Sequence, residues 1–229
     1  MNINNLTKKE LLAYETGLHL GDGCLFIDLN HGTYRVEFSG HSLNDRDFFK
    51  ILIQIIKKLY NKKPKVYKKK GEKTIVLIIN SKNVAKQKIN LGLPIGNKLN
   101  LKKIPSWISN GLEIHFLRGL ADTDFSISFK KNRKGLYCEP RIELFTNNKV
   151  IANFVYKELK KLGFKPAFEK TFRRDFREFR IRMYGKQMLN NWMNKIGFYN
   201  SKHLSKVYLF YKFGFCPPYL TTQQRLNLL

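Results

Sequence analysis

Two aspartates that close matching stretches are the residues best placed to do chemistry. Asp22 ends Glu15-Thr-Gly-Leu-His-Leu-Gly-Asp22, and Asp124 ends Leu117-Arg-Gly-Leu-Ala-Asp-Thr-Asp124. Upstream of the first, Ala13, Gly17 and Gly21 recur every fourth residue; upstream of the second, His115, Gly119 and Thr123 do the same. Positions four apart share a helix face, and small residues on that face let a second helix come close. Each aspartate then falls at a helix C-terminus, where the negative end of the dipole disfavours a carboxylate unless a cation offsets it. For one Gly-Asp-Gly alone, a helix-capping or turn aspartate is the competing reading. The second copy shifts the balance, because pairing the two stripes about a pseudo-twofold axis brings the carboxylates together. At about 4 Å they repel by roughly 4 kcal/mol at an effective dielectric of about 20, so at least one divalent cation is expected between them. Oxygen-only ligation favours magnesium, with calcium or manganese able to take the same donors.

The elements that must hold these residues repeat with a period near 102 residues. Gly17, Leu18 and Asp22 recur as Gly119, Leu120 and Asp124; Lys63-Pro64 recurs as Lys165-Pro166; Leu91-Gly92-Leu93 recurs loosely as Ile196-Gly197-Phe198. Helices are predicted at 8–21 and 111–123 from the spacing of Leu11, Leu12 and Leu18, and of Phe116, Leu117 and Leu120. In the segment 34–39, Tyr34, Val36 and Phe38 alternate with Arg35, Glu37 and Ser39, which predicts a strand with one buried and one wet face. Residues 141–144 repeat that pattern. Amphipathic helices follow at 45–60 and 150–162, then hairpins at 65–80 and 168–184, then a short closing helix in each half. The expected fold class is α+β: two pseudo-symmetric αββαββα repeats with antiparallel sheets, residues 1–92 and 111–229, joined by an ordered linker at 93–110 rich in Pro, Gly and Lys.

Composition bounds the partner. The 229 residues are 43% hydrophobic, enough for a core, but 43 Lys and Arg against 17 Asp and Glu give a net charge of +26. Self-repulsion of that size is tolerated where a polyanion neutralises it, so nucleic acid is expected, and charge alone does not separate structural RNA binding from enzymatic DNA work. No apolar run approaches the roughly 20 residues of a membrane span, and 1–10 lack a secretory signal, so an intracellular, cytoplasmic and nucleoid-associated protein is expected. Cys24, Cys138 and Cys216 are odd in number and widely spaced, which argues against disulfides and structural zinc.

The two motifs resemble those of single-chain LAGLIDADG homing endonucleases, over nearly the whole chain. The Leu-Pro-x-Gly-Asn-Lys and Ile-Pro-x-Trp stretch at 93–107, Gly197-Phe-x-Asn-Ser-Lys-His203, and Lys212-Phe-Gly-Phe-Cys-Pro-Pro218 are similar to archaeal intron-encoded and intein-type members. The resemblance implies motif helices at a central interface and two sheets forming a saddle on double-stranded DNA. It implies that Asp22 and Asp124, with the carbonyls of Gly21 and Thr123, bind magnesium, and that a monomer makes a double-strand break with 3′ overhangs at a long, nearly asymmetric site. The family keeps a basic residue just past the hairpin of each half, here Lys82 and Lys186, as auxiliary catalysts. Base readout is expected from Arg35, Glu37 and Ser39 in one half and from Arg141, Glu143, Arg180 and Arg182 in the other, because Arg takes guanine bidentately and Glu accepts from cytosine. Lys69, Lys73, Lys170, Arg173 and Arg174 on the hairpins are expected phosphate clamps, with solvated hairpin tips as the plainer alternative.

Two departures stand out: Phe125 occupies a position where the family usually has glycine, and Thr123 replaces a small Ala or Gly. Asp122 corresponds to Leu20 in the first copy and is expected to support or pack, as are His19 and His115. A maturase that binds its intron RNA and a non-cleaving DNA-binding regulator would use the same basic surface; retention of both aspartates favours the nuclease, and Phe125 keeps the other two in play. With Met1 first and no terminal Asn, a self-splicing element is not expected.

Overall fold

A computed structural model describes residues 3–173 and 176–229. The first half runs α1 (Lys8–Asp22), β1 (Gly23–Asp28), β2 (Thr33–His41), α2 (Arg46–Tyr60), β3 (Lys65–Lys68), β4 (Thr74–Asn80) and α3 (Lys82–Asn90). The second repeats it: α4 (Leu112–Asp124), β5 (Phe125–Lys131), β6 (Tyr137–Thr146), α5 (Lys149–Lys161), β7 (Ala167–Arg173), β8 (Phe176–Tyr184) and α6 (Lys186–Lys195). Two further helices, α7 (Ser201–Phe213) and α8 (Thr222–Asn227), extend the second half beyond the expected order. Contacts divide the chain into two compact units, Met1–Thr123 and Asp124–Leu229, so almost all of α4 belongs with the first sheet although it opens the second repeat.

Both sheets have four antiparallel strands in equivalent orders, β1-β2-β4-β3 and β5-β6-β8-β7. The register shows why the alternation in the sequence works. Val36 pairs with Ile79 and Phe38 with Leu77, all buried, while Arg35, Glu37 and Ser39 fall on the other face. In the second sheet Ile142 pairs with Met183 and Leu144 with Ile181, again buried, with Arg141 and Glu143 opposite. The helix α2 buries Phe48, Phe49, Leu52, Ile55, Ile56 and Leu59 as one stripe, and α5 packs its buried Ile151, Val155 and Leu159 near β6 and β8. The segment 93–110 is held down by buried Leu93, Leu101 and Ile108, by the Gly96 N–H donating to the Leu25 carbonyl at 2.7 Å, and by the Trp107 indole donating to the Leu91 carbonyl at 3.2 Å. Among the described residues no helix is long and apolar enough to cross a membrane.

The helices α1 and α4 cross in tight contact. A β-carbon on Gly17 would overlap the Phe116 carbonyl oxygen and lie 2.8 Å from the Leu120 nitrogen; one on Gly119 would overlap the Tyr14 carbonyl and lie 2.9 Å from the Leu18 nitrogen. The two helices therefore touch backbone to backbone at one glycine from each motif. Tyr14, Leu18, Leu20, Phe116, Leu117, Leu120 and Ala121 are buried along them. Because the obstructing atoms are main-chain, a methyl cannot be accommodated by a rotamer change. Gly17→Ala and Gly119→Ala should each cost at least the about 1–3 kcal/mol of core overpacking, read as a lowered midpoint in thermal unfolding; an unchanged midpoint would mean that the helices are not in contact there.

Candidate functional site

Each motif aspartate is the last residue of its helix, and the next residue begins a strand. Asp22 and Asp124 are both partly exposed. At the first joint the Gly23 N–H donates to the His19 carbonyl, and a β-carbon on Gly23 would lie 2.6 Å from the His19 Cα, so the turn from helix to strand requires glycine. At the second joint Phe125 does different work: its ring is buried 5.3 Å from that of Trp192, anchoring the start of β5 in the second core. Thr123 turns its hydroxyl back to the carbonyls of Gly119 (3.2 Å) and Leu120 (3.0 Å), which satisfies it within its own helix.

Lys98, in a short 3-10 turn at Lys98–Asn100, donates its ammonium to the Gly21 carbonyl. The turn is set by the Asn97 side chain, which accepts from the Leu99 N–H at 2.9 Å. Sequence reasoning placed Lys98 only inside a family-like stretch; nothing local to it signals contact with a residue 77 positions earlier. The contact bears on metal binding, because a cation already rests on one of the two oxygens expected to accept one. Among the described residues no three His, Cys, Asp or Glu side chains cluster as a closed metal cage would need. One carboxylate plus a main-chain carbonyl per motif is an open, all-oxygen donor set, which fits a hard cation that keeps water and phosphate in its remaining positions.

Behind α1 lies a buried polar network. Glu15 and Lys88, both fully buried, form an ion pair, and the Tyr60 hydroxyl donates to the same carboxylate at 3.0 Å. Burial lowers the Lys88 pKa, and the Glu15 charge opposes that shift. On the crossing itself Tyr14 donates to Asp122 at 2.6 Å, both side chains fully buried, so Asp122 supports the helix pair. His19 packs edge-on to Phe38 with its pKa pushed well down, first by burial and then by Lys88 and Lys98; His115 meets Glu10 at 3.4 Å.

The expected readout residues do share the wet face of each sheet, and their arginines are paired with carboxylates on it. Arg35 lies 3.6 Å from Glu37 and 5.0 Å from the Phe26 ring centroid. In the second sheet Glu143 sits between Arg141 (3.0 Å) and Arg182 (3.5 Å); Arg182 also pairs with Glu169, and Arg180 with Glu178 at 3.0 Å while lying 4.3 Å from the Phe145 ring centroid. On the hairpins, Lys69 stands 4.0 Å from Glu72, Lys73 is exposed, and Lys170 is 5.5 Å from the Phe168 ring centroid. Arg174 lies outside the described residues, as does the side chain of Arg173. Lys82 and Lys186 open α3 and α6; the ammonium of Lys82 rests 5.5 Å from the Tyr34 ring centroid, and Lys186 is exposed.

The fold with two such motif helices is the LAGLIDADG fold. Among solved structures the chain is similar to mesophilic variants of the homing endonuclease I-DmoI, at 22% identity and a TM-score of 0.58, over 83% of this chain and 96% of that one. It is also similar to the LAGLIDADG homing endonuclease I-LtrWI bound to target DNA (13%, TM-score 0.55, 90% and 89%) and to the N-terminal LAGLIDADG domain of DUF199/WhiA (16%, TM-score 0.54, 85% and 88%). No protein-family model and no curated protein matches the chain.

Two stability tests follow from the buried charges. Lys88→Ala leaves the Glu15 carboxylate buried without its counter-ion and should cost about 3–5 kcal/mol in denaturant unfolding, with much of that recovered in Glu15→Leu/Lys88→Met; a small loss in the single variant would place the pair in water. Lys206, on α7, donates to the Ile127 carbonyl at 2.8 Å and has its pKa lowered to about 8, chiefly by burial and then by Arg225. A lysine depressed in the folded state costs stability below that value, and the cost disappears as pH rises from about 8 to its ordinary 10.5. A shift of this size is worth about 3 kcal/mol at neutral pH, against about 1 kcal/mol for the hydrogen bond lost. Lys206→Met should therefore be more stable than wild type at neutral pH, with the gain gone at alkaline pH; a destabilised variant at neutral pH would reverse the assignment.

Proposed function

We propose that this protein is a site-specific DNA endonuclease of the homing type, cutting both strands of a long, nearly asymmetric duplex site to leave 3′ overhangs. The observation that carries the proposal is the glycine-to-glycine crossing of two motif helices, each of which ends five residues later in an aspartate at the mouth of a strand. Support comes from fold neighbours: I-DmoI has been solved in complex with DNA and Mn, and with DNA and Ca. Here Asp22 with the Gly21 carbonyl, and Asp124 with the Thr123 carbonyl, hold a divalent cation at each motif, magnesium by donor type. When bound, such a cation supplies an activated water and offsets the charge that develops on the scissile phosphate. Lys98 keeps positive charge beside the Gly21 carbonyl, and Lys82 and Lys186 act as auxiliary cations.

Arg35, Glu37, Ser39, Arg141, Glu143, Arg180 and Arg182 read base edges, while Lys69, Lys73, Lys170, Arg173 and Arg174 fix the duplex through its phosphates. One chain carries both motifs, so it acts as a monomer, and its intron RNA is a second candidate partner for the same basic surface. The test is cleavage of a plasmid library of intron-insertion junctions in magnesium, calcium or a chelator, by wild type, Asp22→Asn and Asp124→Asn. A discrete linear product is expected from wild type with magnesium alone, and both variants should keep duplex affinity, since binding rests on the distributed cations. Tight binding by wild type with no cut at any junction would instead indicate a maturase or a regulator, and loss of duplex binding in either variant would remove the aspartates from a purely catalytic role.

A further inference from the structure

We infer that the second unit carries a site for an unpaired nucleotide, at the end of its sheet where β8 runs into α6. The repeat makes the local departures informative. In the first half β4 ends at Asn80, and Ser81 caps α3 by accepting from the Val84 N–H at 3.4 Å. At the matching point Tyr184 stands for the asparagine and Gly185, at φ +91°, for the serine, and no side chain caps the ten-residue helix α6. The helix α7, which the first half lacks among the described residues, ends beside the same place. Between these elements lies a cavity of about 580 Å³ whose walls include Lys130, Glu139, Arg141, Tyr184, Lys186 and Tyr211. Its volume falls inside the range of about 300–1,000 Å³ usual for small-molecule sites.

The lining specifies the ligand. Arg141 is held by Glu143 and one carboxylate, Glu139, also lines the cavity, but Lys130 and Lys186 are both exposed and the uncapped start of α6 presents main-chain N–H groups, so the site suits a phosphate. Tyr184 and Tyr211 are 49% and 45% exposed. Tyr211 is held by its hydroxyl, which donates to Asn190 at 3.0 Å, whereas Tyr184 already has Arg141 at 5.4 Å from its ring centroid. Tyr211 is therefore the platform for a base. A phosphate alone would have no use for the rings, and a neutral aromatic ligand none for the two lysines; a nucleotide uses both. Bases within a duplex are stacked on one another and do not offer a face to such a ring, so the ligand is a single-stranded segment. The inference does not rest on cleavage by Asp22 and Asp124.

The experiment is fluorescence anisotropy with labelled octathymidylate and octauridylate at about 0.2 M salt, where non-specific phosphate binding is weak, alongside a labelled duplex. Tyr211→Ala should weaken single-strand binding about tenfold, Tyr211→Phe should leave it near wild type, and Lys130→Ala should weaken it and flatten its salt dependence. Duplex affinity should stay within about twofold of wild type in all three. Thymidine monophosphate competing as well as the octamer would assign the same site to a free nucleotide. Single-strand affinity unchanged in both Tyr211→Ala and Lys130→Ala, or duplex affinity lost in parallel with single-strand affinity, overturns the proposal. Should Tyr211→Ala fail to fold, Lys130→Ala together with Tyr211→Phe decides.

Discussion

Everything in the first unit is referred to the contact between Gly17 and Gly119. It leaves no room for a side chain on either helix, so α1 and α4 meet at one register and cannot slide along each other. The Tyr14–Asp122 hydrogen bond pins the same crossing from within the core. Since α1 passes into β1 directly after Asp22, the register that positions the helices also sets where that strand begins. A motif of this kind is at once a packing device and a means of delivering a carboxylate, which explains why its small residues and its acid cannot be separated in sequence.

The charge distribution follows a rule that net charge hides. A chain at +26 still places Glu15, Lys88, Arg118, Asp122 and Arg225 in its interior. The partners seen for these groups include Lys88 and Tyr60 on Glu15, Tyr14 on Asp122, and Ser205, Thr222 and two main-chain carbonyls on Arg225. An unpaired buried charge costs several kcal/mol, so this matching is what allows a strongly basic protein to keep polar groups behind its motif helices. The halves differ here: the Glu15 position is Leu117 in the second copy, and the Asp122 position is Leu20 in the first. Divergence has entered through the interior as well as through the surface.

Much of the fold was legible because its signals are local or periodic. The small-residue stripes named the crossing helices, the alternation around Val36 and Phe38 named the buried sheet face, and the repeat transferred both to the second half. What was not legible depends on distant parts of the chain. The Lys98 ammonium reaches Gly21 only because the segment after α3 folds back over β1, and no spacing in the sequence encodes that return. The helices α7 and α8 were missed as elements because their sequence stood out as family-like stretches more than as periodic helices. Phe125 looked like a defect in the motif and is a core anchor, its partner Trp192 lying 67 residues later in another helix. The expected readout arginines lie on the wet face, and the pairs Arg141–Glu143 and Arg180–Glu178 follow from the i,i+2 alternation within one strand, but the pairing of Arg182 with Glu143 and Glu169 follows from cross-strand register, which alternation alone does not supply.

That pairing changes how the second sheet meets a ligand. Glu143 holds Arg141 and Arg182, and Glu178 holds Arg180, before anything arrives. A newcomer that seeks these guanidinium groups must displace an incumbent carboxylate, and a contact no better than the incumbent gains nothing by doing so. The face therefore acts as a threshold: loose, generic attraction leaves the ladder intact, and only a partner offering two well-placed acceptors to an arginine, with a donor for the released glutamate, completes the exchange.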